Sequence, residues 1–138
     1  LGVSSTYNRA KYSLARGLIK LDADAIGVLL VSSAYAFNAD HVYVSDLTNE
    51  LSGIGYVRQL LAGKTVIEDV IGDVALWKAA DVIWAVASFG TPDAAIFYLD
   101  GTIDSSRQLI CSVDISPKAA TNGNSFKLLL SSGIMVLE

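Results

Sequence analysis

The second half of the chain is cut into short apolar runs by turn-forming residues, and this spacing constrains the fold more than any other feature. From Tyr56 onward the runs are Tyr56–Leu61, Thr65–Ile71, Val74–Lys78, Val82–Ala87, Ala94–Leu99, Leu109–Ile115, Phe126–Leu130 and Ile134–Leu137. Gly63, Gly72-Asp73, Ala80-Asp81, Gly90-Thr91-Pro92-Asp93, Asn122-Gly123-Asn124 and Ser131-Ser132-Gly133 separate them, and Asp100-Gly101 is a hairpin signal. Runs of this length bounded by such residues read as strands. With Ile26–Val31, entered through Asp22-Ala23-Asp24, they make about eight or nine. The expected fold is therefore mainly β: an antiparallel β-sandwich or a jelly-roll-like barrel. Several runs are apolar throughout instead of alternating, so both of their faces must be covered, and contacts between subunits are the expected cover.

The front of the chain reads differently. Tyr7, Ala10, Leu14 and Leu18 recur at helical spacing, Ser5 or Thr6 can cap, and Gly17 supplies a stop. This predicts a short helix over Thr6–Arg16, in an N-terminal helix or arm at residues 1–17. Residues 32–55 form a long stretch dense in Asn, Asp, Ser and Gly, with room for one helical turn at Asp46–Leu51. The 138 residues suit a single β-rich domain spanning 1–138.

Composition narrows the function. Ten Lys and Arg against fourteen Asp and Glu give a net charge of −4, which argues against gripping nucleic acid through bulk charge. The chain is 52% hydrophobic and 17% charged, with a mean hydropathy of +0.46. Ile26–Val31 and Val82–Ala87 are strand-sized, far short of the roughly 20 apolar residues of a membrane helix, so no membrane partner is expected. The opening Leu1-Gly2-Val3-Ser4-Ser5 carries no secretory pattern. The apolar excess instead predicts surface shared between copies, a homo-oligomer.

Catalytic patterns fail one by one. Ala62-Gly63-Lys64-Thr65 looks like the tail of a phosphate-binding loop, but Arg58 stands where the first glycine belongs and the residues after Thr65 read as strand. The same Arg58 breaks the dinucleotide spacing begun by Gly53-Ile54-Gly55. His41 is the single histidine and no nucleophile elbow is present. One His and a distant Cys111 cannot make a zinc site, and Cys111 reads as a buried, inert thiol. Asp22, Asp24, Asn38, Asp40, Asp46, Asn49 and Glu50 do not follow the calcium-loop spacing. No enzyme and no cofactor are expected. Tyr35, Phe37, Tyr43 and Tyr56, in or beside the long loop, could serve a sugar- or protein-binding surface, whereas Trp77 and Trp84 suit a core or a subunit interface.

Several stretches resemble a family of small virion proteins of tailed bacteriophages. They are Tyr7-Asn8-Arg9-Ala10-Lys11, Gly17 to Ile26, Leu29 to Tyr35, Ala80-Asp81-Val82-Ile83-Trp84, and the loop Asp40 to Tyr56 with its ending Thr48-Asn49-Glu50-Leu51-Ser52-Gly53-Ile54-Gly55-Tyr56. The resemblance implies a capsid decoration (cement) protein that sits on the outer surface of the shell, often as a trimer, and clamps neighbouring capsomers. Its implied partners are the major capsid protein and further copies of itself, with no direct nucleic-acid contact and with assembly in the host cytoplasm. A tail or head-fibre component, or a carbohydrate-binding appendage, is the alternative. The N-terminal arm and the long loop are the expected contact elements, with Tyr7, Leu14, Tyr35, Phe37, Tyr43 and Trp84 as candidate interface residues.

Overall fold

The computed structural model describes residues 2–116 and 118–137. It is mainly β, with antiparallel strands packed as a sandwich. The largest sheet has five strands: β1 (Ser4–Thr6), β2 (Ile26–Val31), β3 (Gln59–Leu60), β7 (Ala94–Leu99) and β8 (Leu109–Asp114), in the order β1-β8-β7-β2-β3. A second sheet joins β10 (Met135–Leu137), β5 (Val74–Lys78) and β4 (Thr65–Asp69), in that order, and β6 (Val82–Trp84) pairs with β9 (Phe126–Leu128). The barrel alternative is not what forms. The five-stranded sheet stays open, ending on β1 and β3, and edges of three and two residues leave little backbone for further pairing.

Every residue of β2 is buried, and β7 is buried up to Leu99. One face of the central sheet, carrying Val28, Leu30, Phe97, Cys111 and Val113, packs on Trp77, Trp84, Leu128 and Leu130 from the smaller sheets and their neighbours. The opposite face, carrying Leu29, Val31, Ile96, Tyr98 and Leu109, packs on Tyr7 and Ala10 and on Tyr35 and Val44 of the long loop. Cover for the continuously apolar strands thus comes from the chain's own front end and loop, which corrects the expectation of subunit contacts at those strands. β7 and β8 slip register between Phe97 and Tyr98, with Cys111 opposite Phe97 and Leu109 opposite Tyr98. Ile110 is the extra residue of this bulge, which lets it join Cys111 in the same cluster.

The helix α1 covers Asn8–Ala15, shorter than the expected Thr6–Arg16. Ser4, Ser5 and Thr6 are drawn into the sheet opposite Val113, Ser112 and Cys111, so they extend instead of capping, and Tyr7 takes the cap position without a side-chain bond. Gly17 closes the helix at φ +70°, which leaves Leu18 exposed. The helical turn expected at Asp46–Leu51 lies earlier, at Val44–Asp46, where the Asp46 carboxylate accepts the Val42 and Tyr43 amides. β7 and β8 are neighbours as the Asp100-Gly101 signal suggests, but a longer connection with a 3-10 turn at Asp104–Ser106 joins them.

Candidate interaction surface

The front end and the long loop meet over the central sheet. The Asn8 amide donates to the Ala39 carbonyl at 2.9 Å, and the Asn8 side-chain amide donates to Asp40 Oδ1 at 2.8 Å. Beneath them the Tyr7 and Tyr35 hydroxyls are 2.8 Å apart, and the Tyr35 hydroxyl lies 3.4 Å from His41 Nδ1. Burial, and then the bond to Tyr35, pushes the Tyr7 phenol well above its ordinary range. Phe37 packs at a tilt against Tyr7 with ring centres 4.9 Å apart and remains 41% exposed. Tyr7, Tyr35 and Phe37 are therefore brought together within the subunit, and two of the three are interior groups. Tyr43 is half-buried and bridges to Gln108 through its backbone. Leu14 and Trp84 lie elsewhere: Leu14 is half-buried on the other core cluster, and Trp84 is buried with its indole N–H donating to the Val57 carbonyl at 2.8 Å.

A cleft of about 170 Å³ opens between Val3, Ser5, Tyr35, Phe37, Asp93 and Asp114. That is less than the roughly 300 Å³ at which small-molecule pockets begin. Among the described residues, no group of three His, Cys, Asp or Glu is placed to hold a metal ion. Thr65 opens strand β4 directly after Gly63, which turns at φ +60°, so the phosphate-loop remnant is a turn into a strand. Cys111 is fully buried, and burial raises its thiol pKa. No helix among the described residues is long and apolar enough to cross a membrane.

The charged cluster at the end of the long loop is a fastening. Arg58 forks onto Glu50 (2.7 and 2.9 Å) and onto Asp104 (2.6 and 3.1 Å), and Asp104 also accepts from Arg107 at 2.7 Å. The Tyr56 hydroxyl donates to Glu50 at 2.5 Å while accepting the Leu30 amide at 3.2 Å. Arg58 holds the Asp104 carboxyl down to about 2, and Glu50 and Asp104 together raise the guanidinium. Arg58 thereby ties Glu50 at the end of the loop to Asp104 in the β7–β8 connection.

Sequence reasoning did not find the surface beside this fastening. The segment 54–60 runs along 83–88, held by Ser88 N–H to Ile54 O at 2.9 Å, Trp84 Nε1 to Val57 O and Gln59 Nε2 to Ile83 O at 3.5 Å. Gly55 makes the approach possible. It sits at φ +82°, and a Cβ there would fall 1.5 Å from the Val86 carbonyl oxygen. Inward residues Tyr56, Trp84 and Ala87 join the core, while Ile54, Val57, Leu60, Ile83 and Val86 are each more than half exposed. The available signal was the glycine pair at 53 and 55, which marks close backbone contact, but the runs were apolar on both faces and did not reveal which side faces out. Comparison with protein families, curated proteins and solved structures gives no match to this chain.

Proposed function

We propose that this chain is a non-enzymatic structural protein of a tailed-phage virion: a capsid decoration protein that binds the outer shell as a closed homo-oligomer, a trimer, and secures contacts between capsomers. The observation that carries the reading is the set of exposed apolar side chains Ile54, Val57, Ile83 and Val86 along two adjacent segments, on a body of low charge. Exposed apolar side chains on neighbouring segments suit a protein–protein contact. The sequence resemblance supplies the virion context. A front end hydrogen-bonded into the sheet and a loop fastened by paired charges suit a rigid clamp, which transmits load only if its parts do not swing. The net charge of −4 favours the exterior of a shell over contact with packaged DNA.

The test is co-sedimentation of the purified protein with assembled shells of the cognate phage prepared without it. Saturable binding to assembled shells, with a raised thermal transition of the shell, is expected. No binding to shells at micromolar protein overturns the proposal.

A further inference from the structure

We infer that two copies of this chain pair through the free edge of β4, antiparallel about a twofold axis at Val66, so that two three-stranded sheets become one of six. The contact goes beyond the proposed function. A twofold pairing is separate from the threefold contact of a trimer and joins two copies whichever way they associate elsewhere.

The backbone edge is the first argument. β4 ends the sheet β10-β5-β4, and its five residues make it the longest edge strand among the described residues, against three for β1 and two for β3. Its register with β5 is regular, and no proline or bulge blunts it. The Trp77 carbonyl accepts the Ile134 amide at 2.7 Å and the Ala79 amide donates to the Leu130 carbonyl at 3.4 Å, both away from β4, whereas the Ala80 amide donates to the Ala62 carbonyl at 2.9 Å. Odd-numbered residues of β5 thus bond away from β4, and Leu76 and Lys78 bond to Ile67 and Thr65 across from them. The N–H and C=O of Val66 and Glu68 are left pointing out along the edge. Both Val66 and Ile67 have side chains about two-fifths exposed.

Charge is the second argument, and it fixes the register. Lys64, just before the strand, and Glu68 flank Val66 at equal spacing on the same face. In an antiparallel pair centred on Val66, Lys64 stands opposite the partner's Glu68 and Glu68 opposite the partner's Lys64. Centring on Lys64 or Glu68 would set like charges face to face. Centring on Thr65 or Ile67 would set both charges against the apolar side chains of Ala62, Val66 or Val70. Among the described residues neither Lys64 nor Glu68 has an ion-pair partner in its own chain, and Lys64 Nζ lies 3.5 Å from the Leu61 carbonyl oxygen. On the other face Ile67 meets the partner's Thr65. Asp69, which already accepts the Ile71 and Gly72 amides, meets only the partner's Gly63.

The experiment is native mass by light scattering over a hundredfold concentration range, for the full chain, Lys64→Glu, Glu68→Lys and the double variant, with circular dichroism to confirm folding. An even multiple of 14.6 kDa is expected for the unmodified chain. Each single variant sets like charges opposite one another twice across the axis and should weaken pairing about tenfold or more, whereas the double variant restores opposite charges and should return to within about threefold. A trimer or a monomer from the unmodified chain, unweakened single variants, or a double variant as weak as the singles overturns the edge contact; co-sedimentation with shells decides the decoration reading separately. Val66→Cys gives a measurement that leaves the charges in place. Since Cys111 is buried, a short bismaleimide should couple position 66 to its counterpart. Ile71→Cys at the exposed hairpin tip, roughly 30 Å from its own counterpart in this register, should not couple. Failure to couple at position 66 also overturns the contact.

Discussion

Trp84 joins the core to segment 54–60, so its truncation tests both. The side chain is 1% exposed, packs against Phe126 and Phe89 with ring centres 5.7 and 6.3 Å apart, and fixes segment 54–60 through its bond to the Val57 carbonyl. Trp84→Ala removes the indole from a packed interior, a change that costs about 3–5 kcal/mol where the surroundings do not collapse. Trp84→Phe keeps most of the packing and loses the hydrogen bond, costing about 1 kcal/mol plus a small cavity contribution. For a domain of this size a loss of about 4 kcal/mol lowers Tm by roughly 10–20 °C. Urea unfolding followed by far-ultraviolet circular dichroism, at one fixed low protein concentration, reads both variants, and the concentration is fixed because association would add to apparent stability. The Ala variant should lose at least three times the free energy lost by the Phe variant. If Trp84→Ala abolishes self-association while the monomer unfolds at the original urea midpoint, Trp84 is an interface residue and the packing argument fails.

Three further outcomes are expected. Asp104 has a folded pKa of about 2 against an ordinary 3.8, so its contribution is present above pH 3.8 and is lost as pH falls toward 2; with the side chain 43% exposed, screening leaves about 1 kcal/mol. A plot of Tm against pH between 5 and 2.5 should therefore be flatter for Asp104→Asn than for the unmodified chain, and parallel plots would refute the fastening. Removing residues 1–16 strips β1 and buries nothing in place of Tyr7 and Ala10 over Leu29 and Ile96, so the truncated chain should bind a hydrophobic dye and lose cooperative melting; an unchanged Tm would show the front end to be a free arm. Gly55→Ala should destabilise by about 1–3 kcal/mol, through its positive φ and the clash with the Val86 carbonyl, whereas Gly123→Ala, also at positive φ but with open space around it, should cost less; equal Tm losses would remove the close-approach explanation.

Strand positions were legible in the sequence because Gly, Asp and Asn turns interrupt apolar runs, and local backbone chemistry acts at the scale of those interruptions. Val74–Lys78 and Ala94–Leu99 form over the expected residues. Ends were read less well: Val82–Ala87 pairs only through Trp84, because beyond it the chain meets the 54–60 segment and the Asn124 carbonyl through single bonds and no longer follows a regular ladder. Burial of Cys111 followed from its apolar run, whereas the runs of Trp77 and Trp84 fitted a core or a subunit interface equally and only packing put both indoles inside the subunit.

Which segments of the chain pack against which was decided by the tertiary structure alone. An unbroken apolar strand announces that both faces are covered but carries no label for the cover, and here α1 and the long loop provide it where another subunit was expected. Ser4-Ser5-Thr6 is locally fit for a helix cap or a strand, and β8, more than 100 residues away in the chain, settles the choice with backbone bonds. Arg58 and Asp104 stand 46 residues apart, so no spacing pattern could pair them. In segments 54–60 and 83–88 apolar residues occupy both sides, and only packing against the core determines which of them remain exposed.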